Sequence, residues 1–313
     1  MRLGVLDVGS NTVHLIVVDA HPGARPVPAA SHKSVLRLMR YLLPDGSISE
    51  EGVAALVSAI SSAVEVARRE GIEELLPMAT SALREATNGE EVLARIEAAT
   101  GVALRVLSGE DEGRLTFLAI RRWYGWSSGN ILLFDIGGGS LEIAAGSDEY
   151  PEVAVSLPLG AGRTTLQFFP HDPPSPEQML ELRAHSRAVM RADALPRFAG
   201  LPPFQHVVGS SKTIRSLARL AGSTVPNPSG TGEDKVTLRR ADLKDWIPRL
   251  GRLPAEAREA LPGITPDRTV QIVAGAIVLH SVMKLYDVEE LEVSPWALRE
   301  GILLRYLDGL DQA

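Results

Sequence analysis

Apolar and polar positions alternate in short blocks from the first residues onward. Leu3, Val5 and Leu6 lead to Asp7, the small polar turn Gly9-Ser10-Asn11 follows, and Val13, Leu15, Ile16, Val17 and Val18 are apolar again. Residues 3–20 therefore read as strand, glycine turn and strand, paired as a hairpin. Pro22 to Pro28 is expected to be a loop. Between Glu51 and Glu70 the period changes, because Val53, Leu56, Val57, Ile60, Val64 and Ala67 recur at helical spacing on one face. A short strand over Leu75–Ala79 ends at Thr80-Ser81, with a helix starting near Ala82. Asn88 with Glu91 predicts a capping box opening a further helix to Ala99. Val102 to Leu107 reads as a strand, Ser108-Gly109 as a turn and Glu110 to Trp123 as a helix.

After Gly125-Trp126-Ser127-Ser128-Gly129 the opening pattern returns. The tract Asp135-Ile136-Gly137-Gly138-Gly139-Ser140-Leu141-Glu142 has the layout of Leu6 to Val13, and an offset of 128 positions puts Asp7 on Asp135 and Gly9 on Gly137. A hairpin over 130–146 is predicted, then Pro- and Gly-rich loops and a helix around 176–192. The strand Gln205–Val208, the turn Gly209-Ser210-Ser211 and a helix from Lys212 come next. Beyond a loop rich in Pro and Gly at 226–232 the remainder reads as mainly helical. So long an offset suits a duplicated domain, not a solenoid repeat. The expected fold class is α/β, with helices against mixed sheets, in two domains spanning 1–124 and 125–313. The last helix is placed so that it can pack back on the first domain.

Composition narrows the chemistry. At 313 residues the chain is long for one core, and 45% apolar residues supply enough burial for two domains. The absence of cysteine excludes disulfides, thiolate zinc sites and thiol nucleophiles, and is compatible with a reducing cytoplasm. Asp7 comes too early for the preceding apolar residues to form a signal peptide. The most apolar stretch, Ile272 to Met283, is shorter than a membrane span and reads as a buried helix, so a soluble cytoplasmic protein is expected. A net charge of −7 argues against nucleic-acid coating but leaves room for a phosphate substrate gripped by a few focused cations.

Three strand-turn-helix junctions carry hydroxyls ahead of a cation or an acid. Thr80-Ser81 precedes Arg84, Ser108-Gly109 precedes Glu112, and Gly209-Ser210-Ser211-Lys212-Thr213 precedes Arg215. Helix N-termini favour anions, although capping by Ser and Thr accounts for each junction taken singly. In the cluster Glu110-Asp111-Glu112, one acid directed inward could deprotonate a water, and a solvated first turn is the alternative. The seven histidines show no paired metal spacing. Asp7, Asp135 and Glu142 are hard oxygen donors suited to Mg²⁺ held together with phosphate oxygens.

Five tracts occur in an order that resembles the Ppx/GppA phosphatases, which comprise exopolyphosphatases and guanosine pentaphosphate phosphohydrolases. They are Leu6 to Thr12, Ala79 to Arg84, Ser108 to Glu112, Asp135 to Glu142 and Trp296 to Gly301. The resemblance covers essentially the whole chain and is strongest to the short actinobacterial exopolyphosphatases. It implies that each half has the ribonuclease-H-like fold shared with actin, heat-shock chaperones and sugar kinases, with an interdomain cleft holding the active site. The family's catalytic glutamate falls on Glu112, with Asp111 in place of the usual Glu and Gly113 in place of Ala. The second phosphate loop, usually Gly-Thr-Gly-Gly-Thr, is here Gly209-Ser210-Ser211-Lys212-Thr213, which loses glycines and gains a cation.

The resemblance implies hydrolysis of the terminal phosphate of inorganic polyphosphate, short chains included, with pppGpp as the alternative substrate. An actin-like kinase or ATPase and a silent polyphosphate sensor are readings from other classes. Glu112 would activate a water, Arg84 would stabilise developing charge, and Mg²⁺ (or Mn²⁺) would sit on Asp7, Asp135 and Glu142. Phosphate oxygens would meet Gly9, Ser10, Asn11, Thr80, Ser81, Gly137, Gly138, Gly139 and Ser140. Gly209, Ser211, Lys212, Thr213 and Arg299, with Lys33, Arg37 and Arg215, are candidates for the rest of a chain. A homodimer is implied, with no nucleic-acid or membrane partner.

Overall fold

The computed structural model describes residues 1–21, 25–225 and 235–310. The loop expected at 226–232, and residues 22–24 of the first expected loop, lie outside that range. The chain divides into two compact units, Met1–Ala119 with Leu298–Ala313, and Ile120–Ala297.

The first unit opens with β1 (Arg2–Val8), β2 (Thr12–Asp19) and β3 (Pro28–Val35). Helix α1 (Glu50–Arg69), β4 (Glu74–Ala79), α2 (Ser81–Glu85), α3 (Gly89–Thr100), β5 (Arg105–Val106) and α4 (Gly109–Tyr124) follow. The sheet order is β3-β2-β1-β4-β5, with β1, β2 and β3 antiparallel and β4 and β5 added in parallel. Strand β1 is central and buried on both faces, so its sequence is a near-continuous apolar run. Helix α1 starts where Ser49 Oγ accepts the Gly52 N–H, with Glu50 and Glu51 in its first turn and Arg68 and Arg69 in its last. Its buried stripe of Val53, Leu56 and Ile60 packs with Leu6, Val8, Val13 and Leu15 on one face of the sheet. Leu3, Val5, Ile16 and Val18 form the opposite face.

The expected capping box at Asn88 is absent. Asn88 Oδ1 accepts the Ile48 N–H at 2.8 Å and its Nδ2 donates to Ile48 O at 3.0 Å, so the side chain clamps a distant loop instead of its own helix. The strand expected over Val102–Leu107 is reduced to the two residues of β5.

The second unit runs β6 (Ile131–Ile136), β7 (Leu141–Gly146), β8 (Val153–Leu157), α5 (Ala161–Phe168), α6 (Pro176–Val189), β9 (His206–Ser210) and α7 (Ser211–Ala221). It continues with β10 (Ser223–Val225), β11 (Lys235–Arg239), α8 (Arg240–Arg252), α9 (Ala255–Arg258), α10 (Ile272–Leu285) and β12 (Glu290–Val293). Its sheet order is β10-β11-β12-β9-β6-β7-β8. The portion β8-β7-β6-β9-β12 repeats the order and directions of the first sheet, an antiparallel meander extended by two parallel strands. Both sheets thus have the ribonuclease-H-like arrangement. Beyond residue 232 the described chain is mainly helical, as expected, but the short strands β11 and β12, with runs too short to show a period, also extend the sheet. Helix α10 is buried from Ile272 to Met283, as its uniform apolar sequence requires.

The C-terminal helix α11 (Leu298–Leu310) counts with the first unit, where Ile302 and Leu303 pack on Leu3, Val5, Ile16 and Val18. The division of units falls inside α4, between Ala119 and Ile120, since that helix continues unbroken to Tyr124. Among the described residues no helix is long and apolar enough to cross a membrane.

Candidate functional site

The two hairpins are built alike down to their hydrogen bonds. Asp7 pairs across the strands with His14, and Asp135 pairs with Glu142. In the first turn the Gly9 N–H donates to Thr12 O at 3.0 Å, and in the second the Gly137 N–H donates to Ser140 O at 2.9 Å. The sequence offset therefore carries over to register and turn closure. One correction follows: the amides of Gly9 and Gly137 are consumed by their own turns, so neither is a donor to a ligand.

The second turn is held from behind. Gly137 O accepts the Ala161 N–H at 3.0 Å, Gly138 O accepts the Arg163 N–H at 2.9 Å, and Gly139 O accepts Gly160 N–H at 3.2 Å and Arg163 Nε at 2.8 Å. In a trans peptide the carbonyl and the following N–H point in opposite directions. Three carbonyls tied to the start of α5 therefore aim the N–H groups of Gly138, Gly139 and Ser140 the other way, as an anion-binding nest requires. Gly160 permits this approach: a Cβ there would lie 2.3 Å from Gly139 C and 2.4 Å from Ser140 N. In the first turn Ser10 O accepts Leu38 N–H at 2.7 Å and Asn11 O accepts Leu36 N–H at 2.8 Å and Arg37 N–H at 3.0 Å. By the same rule the amides of Asn11 and Thr12 face away from that segment.

Around the first turn, Thr80 and Ser81 are buried and the Thr80 N–H donates to Val8 O at 3.2 Å. A Cβ on Gly9 would lie 3.9 Å from Asp7 Oδ1 and 4.0 Å from Thr80 Oγ1, so carboxylate and hydroxyl both border the glycine. Asp7 is half-buried. Lost hydration raises its carboxyl above the usual carboxylate range, the Arg299 guanidinium pulls it back, and Glu300 adds to the rise. Arg299 Nη1 also bonds the His14 ring at Nδ1. Helix α11 can bring Arg299 there because it crosses α4 in backbone contact: a Cβ on Gly301 would lie 1.9 Å from Leu115 O. Lys33 is exposed on β3, and Arg37 stands in the left-handed region at φ 53°.

The three acids at the start of α4 separate cleanly. Asp111 accepts the Ser108 hydroxyl at 2.7 Å, and Glu110 and Asp111 reach Arg114 at 2.9 and 3.3 Å. These side chains are 40% and 51% exposed, a solvated first turn. Glu112 is only 14% exposed and faces Arg84, whose Nη1 lies 3.2 Å from Glu112 Oε2 and 2.8 Å from Leu107 O. Of the three acids Glu112 is thus the one turned away from solvent, and it is paired with Arg84, the other residue expected to take part in catalysis.

In the second unit Glu142 is 1% exposed and accepts the Ser156 hydroxyl at 2.8 Å. A residue not foreseen from the sequence is Arg268, buried on the loop before α10. Burial lowers its pKa from the usual arginine range, while Asp267 and Asp135 both act against that shift. Its Nε is buried with no hydrogen-bond partner among the described residues. Arg258, fully buried, fixes that loop by donating to Leu250 O at 2.9 Å and Thr269 O at 2.8 Å and by pairing with Asp172 at 2.7 Å. The tract Pro266-Asp267-Arg268 has no spacing that ties it to Asp135, so only the folded chain reveals the relation.

The junction of β9 and α7 differs from the expected glycine-rich loop. Ser211 occupies the left-handed region at φ 82°, a backbone conformation that favours glycine. The hydroxyls of Ser210 and Thr213 are buried without a hydrogen-bond partner among the described residues. Lys212 Nζ is 2.8 Å from Asp267, so a phosphate would compete with that carboxylate for it. Gly209 has a packing role, since a Cβ there would lie 2.7 Å from Ile214 and 3.0 Å from Leu291. Arg215 Nη2 donates to Pro295 O at 3.2 Å.

Among the described residues no three His, Cys, Asp or Glu side chains converge as a metal cage. Mg²⁺ does not need one, because it is commonly held by one or two carboxylates together with phosphate oxygens and waters. Asp135 and Glu142, opposite each other across β6 and β7, are donors of that kind.

Comparison with known proteins gives one consistent answer. Residues 16–309 match the Ppx/GppA phosphatase family. The chain is 50% identical over 310 residues to Exopolyphosphatase 1 of Mycobacterium tuberculosis, covering 98% of this chain and 89% of that protein. It is 48% identical to Exopolyphosphatase 1 of Mycobacterium leprae, covering 98% and 90%. Among solved structures, the Aquifex aeolicus Ppx/GppA family member superposes with a TM-score of 0.79 at 25% identity, over 100% of this chain and 99% of that one. An exopolyphosphatase from Cytophaga hutchinsonii gives 0.86 at 24% identity, over 99% and 98%, which speaks for the fold.

Proposed function

The chain belongs to the Ppx/GppA phosphatase family, and from that premise we propose that it is an exopolyphosphatase releasing the terminal phosphate of inorganic polyphosphate, short chains included. The observation that carries the reading is the second glycine turn, whose three carbonyls are tied back to α5 so that the following amides of Gly138, Gly139 and Ser140 point the opposite way, at the end of the strand that carries Asp135. A row of preoriented N–H donors next to hard carboxylates suits a phosphoryl group and little else.

In this reading the amides of Gly138, Gly139 and Ser140 grip oxygens of the end phosphate, and those of Asn11 and Thr12 are the equivalent donors of the first hairpin. Glu112 orients a water in line with the bond to be broken and takes its proton as the new P–O bond forms. The bridging P–O bond breaks, and the shortened chain leaves with the electron pair. Arg84 acts through Glu112, fixing the carboxylate's direction by its bond to Oε2. Arg268, buried and within the electrostatic reach of Asp135, opposes the accumulation of negative charge there. Asp135 and Glu142, with Asp7 at the equivalent place in the first hairpin, are the donors proposed for Mg²⁺ or Mn²⁺. Such an ion, when bound, neutralises charge on phosphate oxygens.

The test is phosphate release from polyphosphates of graded length and from pppGpp, each with and without Mg²⁺. Metal-dependent release from polyphosphate is expected, with the shorter chains favoured. Release from pppGpp alone would move the chain to the other activity of its family.

A further inference from the structure

Away from the glycine turns, the second unit carries a concentration of positive charge that the proposed reaction does not use. Arg183 and Arg187 stand one helical turn apart on α6, and His280 and Lys284 stand one turn apart on α10. Arg240, at the start of α8, reaches the same place and donates from Nη1 to Met283 O at 3.4 Å. The charges acting on His280 come from Arg183, Arg187, Lys284 and Arg240, all positive. Arg240 approaches one carboxylate, the exposed Asp287 at 3.7 Å. For Arg183, Arg187 and Lys284 there is no ion pair among the described residues.

Two nitrogens of this group are buried without hydrogen-bond partners among the described residues: Nε of Arg183 and Nδ1 of His280, the latter in a side chain only 6% exposed. A buried donor without an acceptor costs about 1–3 kcal/mol. An arginine cannot relieve the crowding by losing its proton. Four cations gathered on a protein of net charge −7 therefore call for an anion.

We propose that Arg183, Arg187, Arg240 and Lys284, over the buried ring of His280, form a second anion site that takes an oligophosphate, a ligand with two or more linked phosphoryl groups. Guanidinium forks match phosphoryl oxygens in pairs. Arginines a turn apart on α6, faced by cations on two other helices, offer more positive charge than a single orthophosphate neutralises. His280 lies nine residues beyond Gln271, whose Oε1 would be 3.0 Å from a Cβ on Gly162 beside the Gly138 turn. At 1.5 Å of rise per residue the two places are about 14 Å apart along α10, too far for one phosphate to fill both.

The experiment is calorimetric titration of the full chain with imidodiphosphate, whose P–N–P link resists hydrolysis, so that binding is read without turnover. Two binding events are expected for the natural sequence. The double variant Arg183→Gln, Arg187→Gln should lose one event or weaken it at least tenfold, keep the other, and retain its melting temperature. A control removing equal charge from α8, Arg249→Gln with Arg252→Gln, should keep both. Orthophosphate should bind the second site at least tenfold more weakly than imidodiphosphate. A single event in the natural sequence, equal losses in both double variants, or equal affinity for orthophosphate at this site would overturn the proposal.

Discussion

Arg84 holds Glu112: the guanidinium Nη1 sits 3.2 Å from Glu112 Oε2 while bonding Leu107 O at 2.8 Å. One nitrogen thereby ties the carboxylate to the end of the strand that precedes α4. The neighbouring acids have a different partner, Arg114, and face water. If Arg84 works by directing Glu112, Arg84→Lys keeps a cation but loses the shared geometry. Phosphate release should fall by about tenfold in Arg84→Lys and by about 10²-fold or more in Arg84→Gln, with little change in melting temperature. Equal rates in Lys, Gln and natural proteins would show that the pair has no part in the reaction.

Gly160 tests the second turn by sterics alone. A methyl group there meets backbone atoms of Gly139 and Ser140 at 2.3 and 2.4 Å, and backbone cannot rotate aside as a side chain would. Gly160→Ala should destabilise the protein by about 1–3 kcal/mol. It should also lower phosphate release more than destabilisation explains, measured at a temperature where the variant is fully folded. Full activity in a folded Gly160→Ala protein would mean that the turn's shape is immaterial.

Ser211 makes the opposite prediction. Its φ of 82° costs a side chain roughly 1–2 kcal/mol that glycine does not bear. Ser211→Gly should therefore raise the unfolding midpoint in denaturant, although loss of the Ser211 Oγ contact with Ile214 N–H at 3.3 Å offsets part of the gain. A lowered midpoint would mean that the hydroxyl outweighs the backbone conformation.

Acid stability should depend on His280. Burial, then the charges of Arg183, Arg187, Lys284 and Arg240, push its pKa down from 6.5 to about 4. Between those values the unfolded chain binds a proton that the folded chain refuses, so stability falls as pH drops through that window and levels off below it. His280→Phe should flatten this part of the stability-pH curve while leaving the neutral-pH end little affected. An unchanged slope in denaturation measured at pH 4.5, 5.5 and 6.5 would assign the acid sensitivity to other groups.

Much of the fold was legible because its strongest signals are local. The apolar blocks around Asp7 and Asp135 gave both hairpins, and the offset between them is reproduced in strand register and turn closure. The uniform run from Ile272 gave a buried helix. What stayed hidden depends on contacts distant in sequence. Strand β12 has four residues and no period of its own, and it is a strand because β9 and β11 flank it. Asn88 has the composition of a cap but spends its amide on Ile48. Within the site, hydroxyls and acids announced themselves by motif. The bond from Arg84 to Glu112, the charge of Arg299 on Asp7 and that of Asp135 on the buried Arg268 arise only when separate segments meet.

The most direct measurement is orthophosphate release from inorganic polyphosphate of defined length by the natural protein and by Glu112→Gln, at saturating Mg²⁺. Replacing the carboxylate with an amide of the same shape removes the proton acceptor and leaves the packing in place. Release from the natural protein, reduced by about 10²–10⁴-fold in a variant with an unchanged melting temperature, is the predicted result. Undiminished release by Glu112→Gln, or no release from polyphosphate by the natural protein, would contradict the account.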